Sequence, residues 1–396
     1  MALRVVVRNI GRIVTGQVDS PFADGDSIVC DAGTIESVGP EWSGAADVVI
    51  DAQGTTVVPG LIDSHVHLAF GDYTPRQQTV GYLSSYLHGG VTTAISASEV
   101  HVPGRPVDAE GLVALAVAAH KSYERIRPGG MRTHGGSLIL DPVLSESDFR
   151  RARDAGVWLV KAGFGAVSTP RDYVPLVATA RELGMLTTLH TGGASIPGSS
   201  PVSGDDVLAI RPHVAFHCNG GPVAMSDADY DKVLAECDAQ LQICTAGNLR
   251  TALHIAREVT RRGELHRVVL GTDTPTGSGI MPLGMWYTIT HLCSLAGVDP
   301  ATAIAWATGN NAVTYGLDTG TITPGAAADL VLVDAPLGGS ATDVLAALSN
   351  GDVPGIGAVI SGGVPRFIGR SRNSPPPARP PVIDENHVAQ SFEGGH

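Results

Sequence analysis

The rhythm of hydrophobic and polar positions changes twice along this chain. Up to about residue 55, short apolar, β-branched runs at 4–7, 27–30, 35–38 and 46–50 are separated by turn formers such as Asp24-Gly25-Asp26 and Asp31-Ala32-Gly33. That is the pattern of an all-β segment. From Thr56 onward, apolar runs at 58–67, 91–97, 132–140, 157–163, 186–190, 213–219, 241–244 and 267–273 alternate with helix-like stretches. Ser145 with Asp148, and Ser226 with Asp229, have capping-box spacing. Asp299-Pro300 pairs an N-cap with a proline at the first helical position, and Gly156 and Gly184 suit helix ends. Eight such alternations over roughly 250 residues predict an α/β fold of the (β/α)8 TIM-barrel type. After about Tyr315 the β pattern returns at 329–333, 358–360 and 364–368, punctuated by Gly325, Gly351, Gly362 and Gly363. The two ends resemble each other and differ from the middle, so they predict one small β-sandwich formed from both chain ends. The expected division is 1–55 and 318–370 for the sandwich, 56–317 for the barrel, and 371–396 for a C-terminal tail. The proline-rich run at 374–381 cannot extend a sheet, and reads as an extended segment laid on a neighbouring subunit.

Composition narrows the function. With 396 residues and 43% hydrophobic positions, the chain has ample material for a large core and a smaller companion. A net charge of −13 argues against nucleic acid, whose phosphates call for a basic face. Five cysteines with no C-x-x-C spacing argue against a disulfide framework and for a reducing, cytoplasmic setting. Arg4 and Arg8 interrupt the N-terminus too early for a signal peptide, and no uncharged apolar run reaches roughly 18 residues.

Candidate chemistry sits at the ends of the barrel strands, where such folds carry their sites. In Asp63-Ser64-His65-Val66-His67, the two histidines share one face of a strand. Alone, the pair is as compatible with two core histidines as with a metal site. Further along, Lys161 lies on the fourth strand, His190 ends the fifth, His217 ends the sixth and Asp273 ends the eighth. Neutral imidazole and carboxylate are the usual ligands of divalent metals.

This set resembles the amidohydrolase superfamily. Gly320-Thr321-Ile322-Thr323-Pro324-Gly325-Ala326-Ala327-Ala328-Asp329-Leu330-Val331 is similar to that family's return into its sandwich. Within the superfamily, the resemblance is greatest to the enamidases. It is carried by Gly71-Asp72-Tyr73-Thr74-Pro75-Arg76-Gln77, Pro103-Gly104-Arg105-Pro106, His190-Thr191-Gly192-Gly193-Ala194-Ser195-Ile196-Pro197-Gly198 and His217-Cys218-Asn219-Gly220-Gly221-Pro222. The resemblance implies two divalent metals, with zinc the default and iron or manganese also fitting. His65, His67 and Asp273 would hold one metal, His190 and His217 the other. It implies hydrolysis of a C–N bond in a cyclic amide such as 6-oxo-1,4,5,6-tetrahydronicotinate. A hydroxide held between the metals would attack, with Asp273 as general base and then acid. Enamidases carry a glutamate on the fourth strand, and this chain has Lys161 there. As in hydantoinases and dihydroorotases, Lys161 would bridge the metals as a CO2-derived carbamate; otherwise it points elsewhere and one metal remains.

Secondary candidates for substrate contact are His101, Arg105, Arg76, Thr191, Asn219 and Thr274, with His134 at the mouth and Cys218 in packing. Rival readings are another cyclic amidase or imidase of hydantoinase or dihydroorotase type, a mononuclear deaminase, and an inert scaffold. The deaminase reading calls for His-x-x-Glu, whereas His190 is followed by Thr191-Gly192-Gly193. The expected partners are a small cyclic amide and further copies of the chain, with neither nucleic acid nor membrane.

Overall fold

The computed structural model describes residues 3–194, 200–221 and 223–387. Two units emerge. One comprises the chain up to Ile62, Ser85–Thr92 and everything from Ile289; the other comprises Asp63–Ser84 and Thr93–Thr288.

The first unit contains two sheets built from both chain ends. One runs in the order Val382–Ile383, Val48–Asp51, Arg4–Arg8, Ser27–Asp31, Thr34–Gly39. The other runs Val364–Ile368, Gly355–Ser361, Leu330–Asp334, Thr56–Pro59, Arg12–Val14, Phe22–Ala23. Val5, Val7 and Ile28 of the first sheet and Ile13, Val57, Leu330 and Ile360 of the second belong to one buried apolar cluster. Val6 points the other way, with Val29 and Val49 under Trp42. Both faces of that sheet are therefore covered, which explains why Val5-Val6-Val7 is apolar throughout and does not alternate.

Two expectations are corrected here. The run at 58–67 is two strands and not one. Thr56–Pro59 pairs with Leu330–Asp334, and Leu61–Val66 begins afresh after Gly60. Only glycine fits at that break, because a Cβ on Gly60 would lie 2.1 Å from the Thr92 hydroxyl. The proline-rich segment, in turn, lies on its own chain. Leu337 donates its N–H to the Pro376 carbonyl and Ala378 to that of Ala335. Arg379 clamps the buried Asp334 through Nε and Nη2 at 2.9 and 2.6 Å, and Val382–Ile383 adds an antiparallel edge strand to Val48–Asp51.

The strands of the central part of the chain pair in parallel, with helices between most of them. Arg132–His134, Val91–Ser96 and Leu61–Val66 form one sheet. Leu138–Ile139, Leu159–Ala162, Leu186–His190, Val214–Phe216, Gln240–Cys244 and Val268–Gly271 form another, in that order. The expected third strand is split, because the chain turns at Gly136 with φ +80° and a Cβ on Gly135 would strike the Tyr123 ring at 2.0 Å. The expected helix starts are present. Ser145/Asp148 and Ser226/Asp229 form complete capping boxes, and Ser203/Asp206 adds a third. Helix Leu249–Arg262 buries Ala252, Ile255, Ala256 and Val259, one apolar stripe at helical spacing. All five cysteines are buried and unpaired. Among the described residues, no helix is long and apolar enough to cross a membrane.

Candidate metal centre

The first parallel strand sets the site through alternation: Asp63, His65 and His67 fall on one face. Asp63 is fully buried and accepts three hydrogen bonds, from His65 N at 3.1 Å, Thr272 N at 2.9 Å and Thr272 Oγ1 at 2.6 Å. The neighbouring backbone continues this stitch. Asp273 N donates to the His65 carbonyl at 2.9 Å, and His67 N to that of Thr274 at 3.2 Å. Asp273 is thereby held opposite both histidines, with its Oδ1 3.3 Å from His65 Nε2 and 2.9 Å from His67 Nε2. One potential ligand atom from each of the three residues lies within 4.8 Å of the others.

Lys161, His190 and His217 complete the ring. Parallel register aligns Lys161 with Thr188 on the next strand, and His190 with Phe216 on the one after. The His190 ring lies 4.4 Å from that of His217, which is 5.5 Å from that of His65. His217 and Asp273 both have left-handed backbones, φ +34° and +54°, a strain of about 1–3 kcal/mol each that turns their side chains off the strand ends.

Burial governs the protonation of the site. It pushes His67 down to about 3, His190 to about 4, and His65 and His217 well below their usual range. All four imidazoles are therefore neutral at pH 7 and offer a lone pair. His190 donates Nε2–H to the Gly193 carbonyl at 3.2 Å, which leaves its buried Nδ1 without a partner; Nδ1 of His67 and of His217 are also unpartnered. The Lys161 amine is fully buried, makes no hydrogen bond and sits over the rings of Phe216 at 4.2 Å and Phe164 at 5.4 Å. Burial lowers it to about 7. Burial also raises Asp273 to about 6, against the pull of Lys161. Neutral imidazoles, one carboxylate and several orphaned polar atoms around one cleft are a donor set that fits divalent metal.

The cleft, about 710 Å³ and open to solvent, is lined by all six of these residues and by His101 and Arg76. The His101 ring lies 4.6 Å from that of His67. No carboxylate among the described residues forms a salt bridge with Arg76. The other expected contacts are spent elsewhere. Arg105 donates to the Phe164 carbonyl at 3.0 Å, and Thr191 to that of Phe216 at 2.9 Å. Asn219 bonds the Cys244 backbone in both directions, and Thr274 donates to Thr272 Oγ1. None of these four lines the cleft. Cys218 is buried packing, and His134 lines a separate cavity beside Trp158. Residues 195–198 and Pro222, part of the motifs read from the sequence, lie outside the described residues. Two site residues escaped the sequence reading. Asp63 obeys the same alternation as the histidines. Gln242 is a fully buried amide between the buried Leu241 and Ile243, a position that polar groups occupy only when bonded.

Residues 217–365 match the amidohydrolase family. The chain is 45% identical over 380 residues to the enamidase of Eubacterium barkeri, covering 95% of this chain and 98% of that protein. It is 28% identical over 375 residues to an imidazolonepropionase of Salinispora arenicola, covering 84% and 92% of the two chains. The crystal structure of an enamidase, described as a member of the amidohydrolase superfamily, superposes with a TM-score of 0.93 at 44% identity, covering 96% of this chain and 100% of that one.

Proposed function

Because the chain belongs to the amidohydrolase superfamily, we propose that it is a metal-dependent hydrolase that opens the C–N bond of a cyclic enamide or lactam such as 6-oxo-1,4,5,6-tetrahydronicotinate. The same reading takes the parallel strands as one closed (β/α)8 barrel and the terminal sheets as a β-sandwich. The observation that carries it is the convergence of His65, His67 and Asp273 within 4.8 Å, at the floor of a cleft shared with Lys161, His190 and His217.

His65, His67 and Asp273 would hold one divalent ion, His190 and His217 a second, with Lys161 between them as its carbamate. Zinc suits this N/O donor set, and iron or manganese would also be accepted. Carboxylation joins the neutral Lys161 amine to CO2, forming an N–C bond and releasing one proton, and puts two oxygens where the amine offered none. Bound metal supplies hydroxide from water near neutral pH and polarises the amide carbonyl. Asp273 takes the proton of the attacking water and returns it to the leaving ring nitrogen, its carboxylate oxygen accepting and releasing the proton in turn. Its left-handed backbone and the Asp63 stitch keep it in place. His101 and Arg76 face the substrate, and Arg105 holds the Phe164 loop.

The test is a panel of lactams, cyclic imides, hydantoins and 6-oxo-tetrahydronicotinate, offered to protein of measured metal content. Turnover of the enamide is expected. Failure to open any ring amide while metal is bound would refute the reading. Arg76 gives a second prediction. A charge-assisted bond to a ring carboxylate amounts to about 1.5–3 kcal/mol, so Arg76→Leu should raise KM by about 10- to 100-fold. It should leave KM for the uncharged ring analogue unchanged; equal effects on both substrates would remove Arg76 from carboxylate binding.

A further inference from the structure

The seventh strand, Gln240–Cys244, supplies none of the six residues of the proposed metal centre, yet it carries Gln242, which is fully buried beside the site. We infer that Gln242 is a positioning residue whose amide fixes the proton of His65 on Nδ1, leaving Nε2 bare toward the metal, and whose same oxygen pins His217 in the other half of the centre. The inference rests on the metal-hydrolase reading for its purpose, but not for its geometry.

The polarity of the amide follows from its neighbours. Its Oε1 faces His217 N at 3.2 Å, a backbone N–H that can only donate. Its Nε2 faces the Ser64 carbonyl at 3.2 Å, which can only accept, and Ser64 Oγ at 2.8 Å. Ser64 Oγ spends its own hydrogen on the Leu270 carbonyl at 2.7 Å, so toward Gln242 it accepts. Reversing the amide would set donor against donor at one end and acceptor against acceptor at the other. Oε1 is thus the acceptor, and His65 Nδ1, 2.8 Å away, must carry the hydrogen between them. The Cys244 thiol, 3.3 Å from the same oxygen, adds a weak third donor.

The consequence appears on the far side of the ring. With its hydrogen on Nδ1, His65 presents the lone pair of Nε2 to Asp273 Oδ1 at 3.3 Å. Two acceptors at that distance repel unless a cation lies between them or near both. Gln242 therefore prepares the site for a cation before one arrives. On the other side, the Gln242 carbonyl accepts Cys218 N at 2.6 Å while its side chain accepts His217 N. One residue thereby holds both the tautomer of a ligand in one half-site and the strained turn that aims a ligand of the other. Partners of metal-bound histidines that act in this way are generally worth about 10- to 100-fold in metal affinity.

The test uses the metal-free full chain and reads more than activity. Nitrogen NMR of histidine-labelled protein, with the His65 signals assigned by their loss in His65→Asn, should show His65 protonated on Nδ1. Chelator competition should show zinc affinity about 10- to 100-fold weaker in Gln242→Met, a variant of similar size whose thioether is only a weak acceptor. His65 protonated on Nε2 in the unsubstituted protein would overturn the inference without any variant having to fold. So would a folded Gln242→Met with unchanged affinity. Absence of any divalent-metal binding by the unsubstituted protein would instead sink the hydrolase reading, and the tautomer result would stand separately.

Discussion

Replacing Lys161 by alanine should strip the protein of metal and lower kcat/KM on the order of 10³-fold, a loss of about 4 kcal/mol. It should do so without unfolding the chain. The amine is fully buried, makes no hydrogen bond and rests over two aromatic rings. As a plain lysine it contributes little to stability, since a buried amine without partners is costly to keep. A structural lysine and a bridging carbamate thus predict opposite patterns. Lys161→Met should melt no lower than the metal-free unsubstituted protein and should bind no metal. Short-chain carboxylic acids such as acetate or propionate should partly restore both metal and turnover to Lys161→Ala, because they return two oxygens to the gap. The pH dependence has a definite sign. Only the neutral amine attacks CO2, and burial brings Lys161 from 10.5 to about 7. Recovery of activity when bicarbonate and metal are returned to stripped protein should therefore be slow near pH 6 and faster by pH 8. Full metal content in Lys161→Ala would remove the bridging role.

Lys161 also marks the limit of what could be read without coordinates. Its place at the end of an apolar run, in line with His190 and His217, is a matter of strand spacing, and spacing is legible because side chains alternate with a fixed period. For the same reason Leu186–His190 and Val364–Ile368 form where expected, and the capping boxes at Ser145 and Ser226 start their helices. Legibility ended where a partner far along the chain decides. Gln242 is held by His65, 177 positions away, and Arg105 by the carbonyl of Phe164, 59 away. Nothing in the Arg105 neighbourhood distinguishes a loop brace from a substrate clamp. Strands Arg12–Val14 and Phe22–Ala23, of three and two residues, are too short to leave a periodic trace. The break at Gly60 and the split beside Gly135 depend on the Thr92 hydroxyl and the Tyr123 ring, which no local pattern announces. The proline-rich segment stays on its own chain because its composition forbids a central strand but not the edge pairing made by Val382–Ile383, nor the clamp of Arg379 on Asp334.

The largest effect on stability should come from a residue outside the metal centre. Glu99 follows the strand Val91–Ser96, is 2% exposed, and neither of its oxygens accepts a well-formed hydrogen bond. Burial raises its carboxyl from 4.5 to about 8, against a smaller opposing effect of the backbone at Glu99 and Gly136. A carboxyl raised in the folded state keeps a proton that the unfolded chain gives up near its ordinary value. The contribution of Glu99 to stability is therefore fully present below about pH 4.5, falls as pH rises toward 8, and levels off above that. Glutamine keeps the shape and cannot ionise. Glu99→Gln should match the unsubstituted protein near pH 4.5 and exceed it at pH 8.5 by on the order of 4 kcal/mol, measured by urea unfolding at both values. A difference that stays constant with pH would show that Glu99 is solvated or paired in the folded chain. Two residues on, His101 lines the cleft, and Ser98 beside it holds a left-handed backbone at φ +93°. If kcat/KM of Glu99→Gln is unchanged while stability at pH 8.5 rises, the buried acid is a cost of shaping that loop and takes no part in the chemistry; a fall in activity alongside the gain in stability would place the ionised form in the working enzyme.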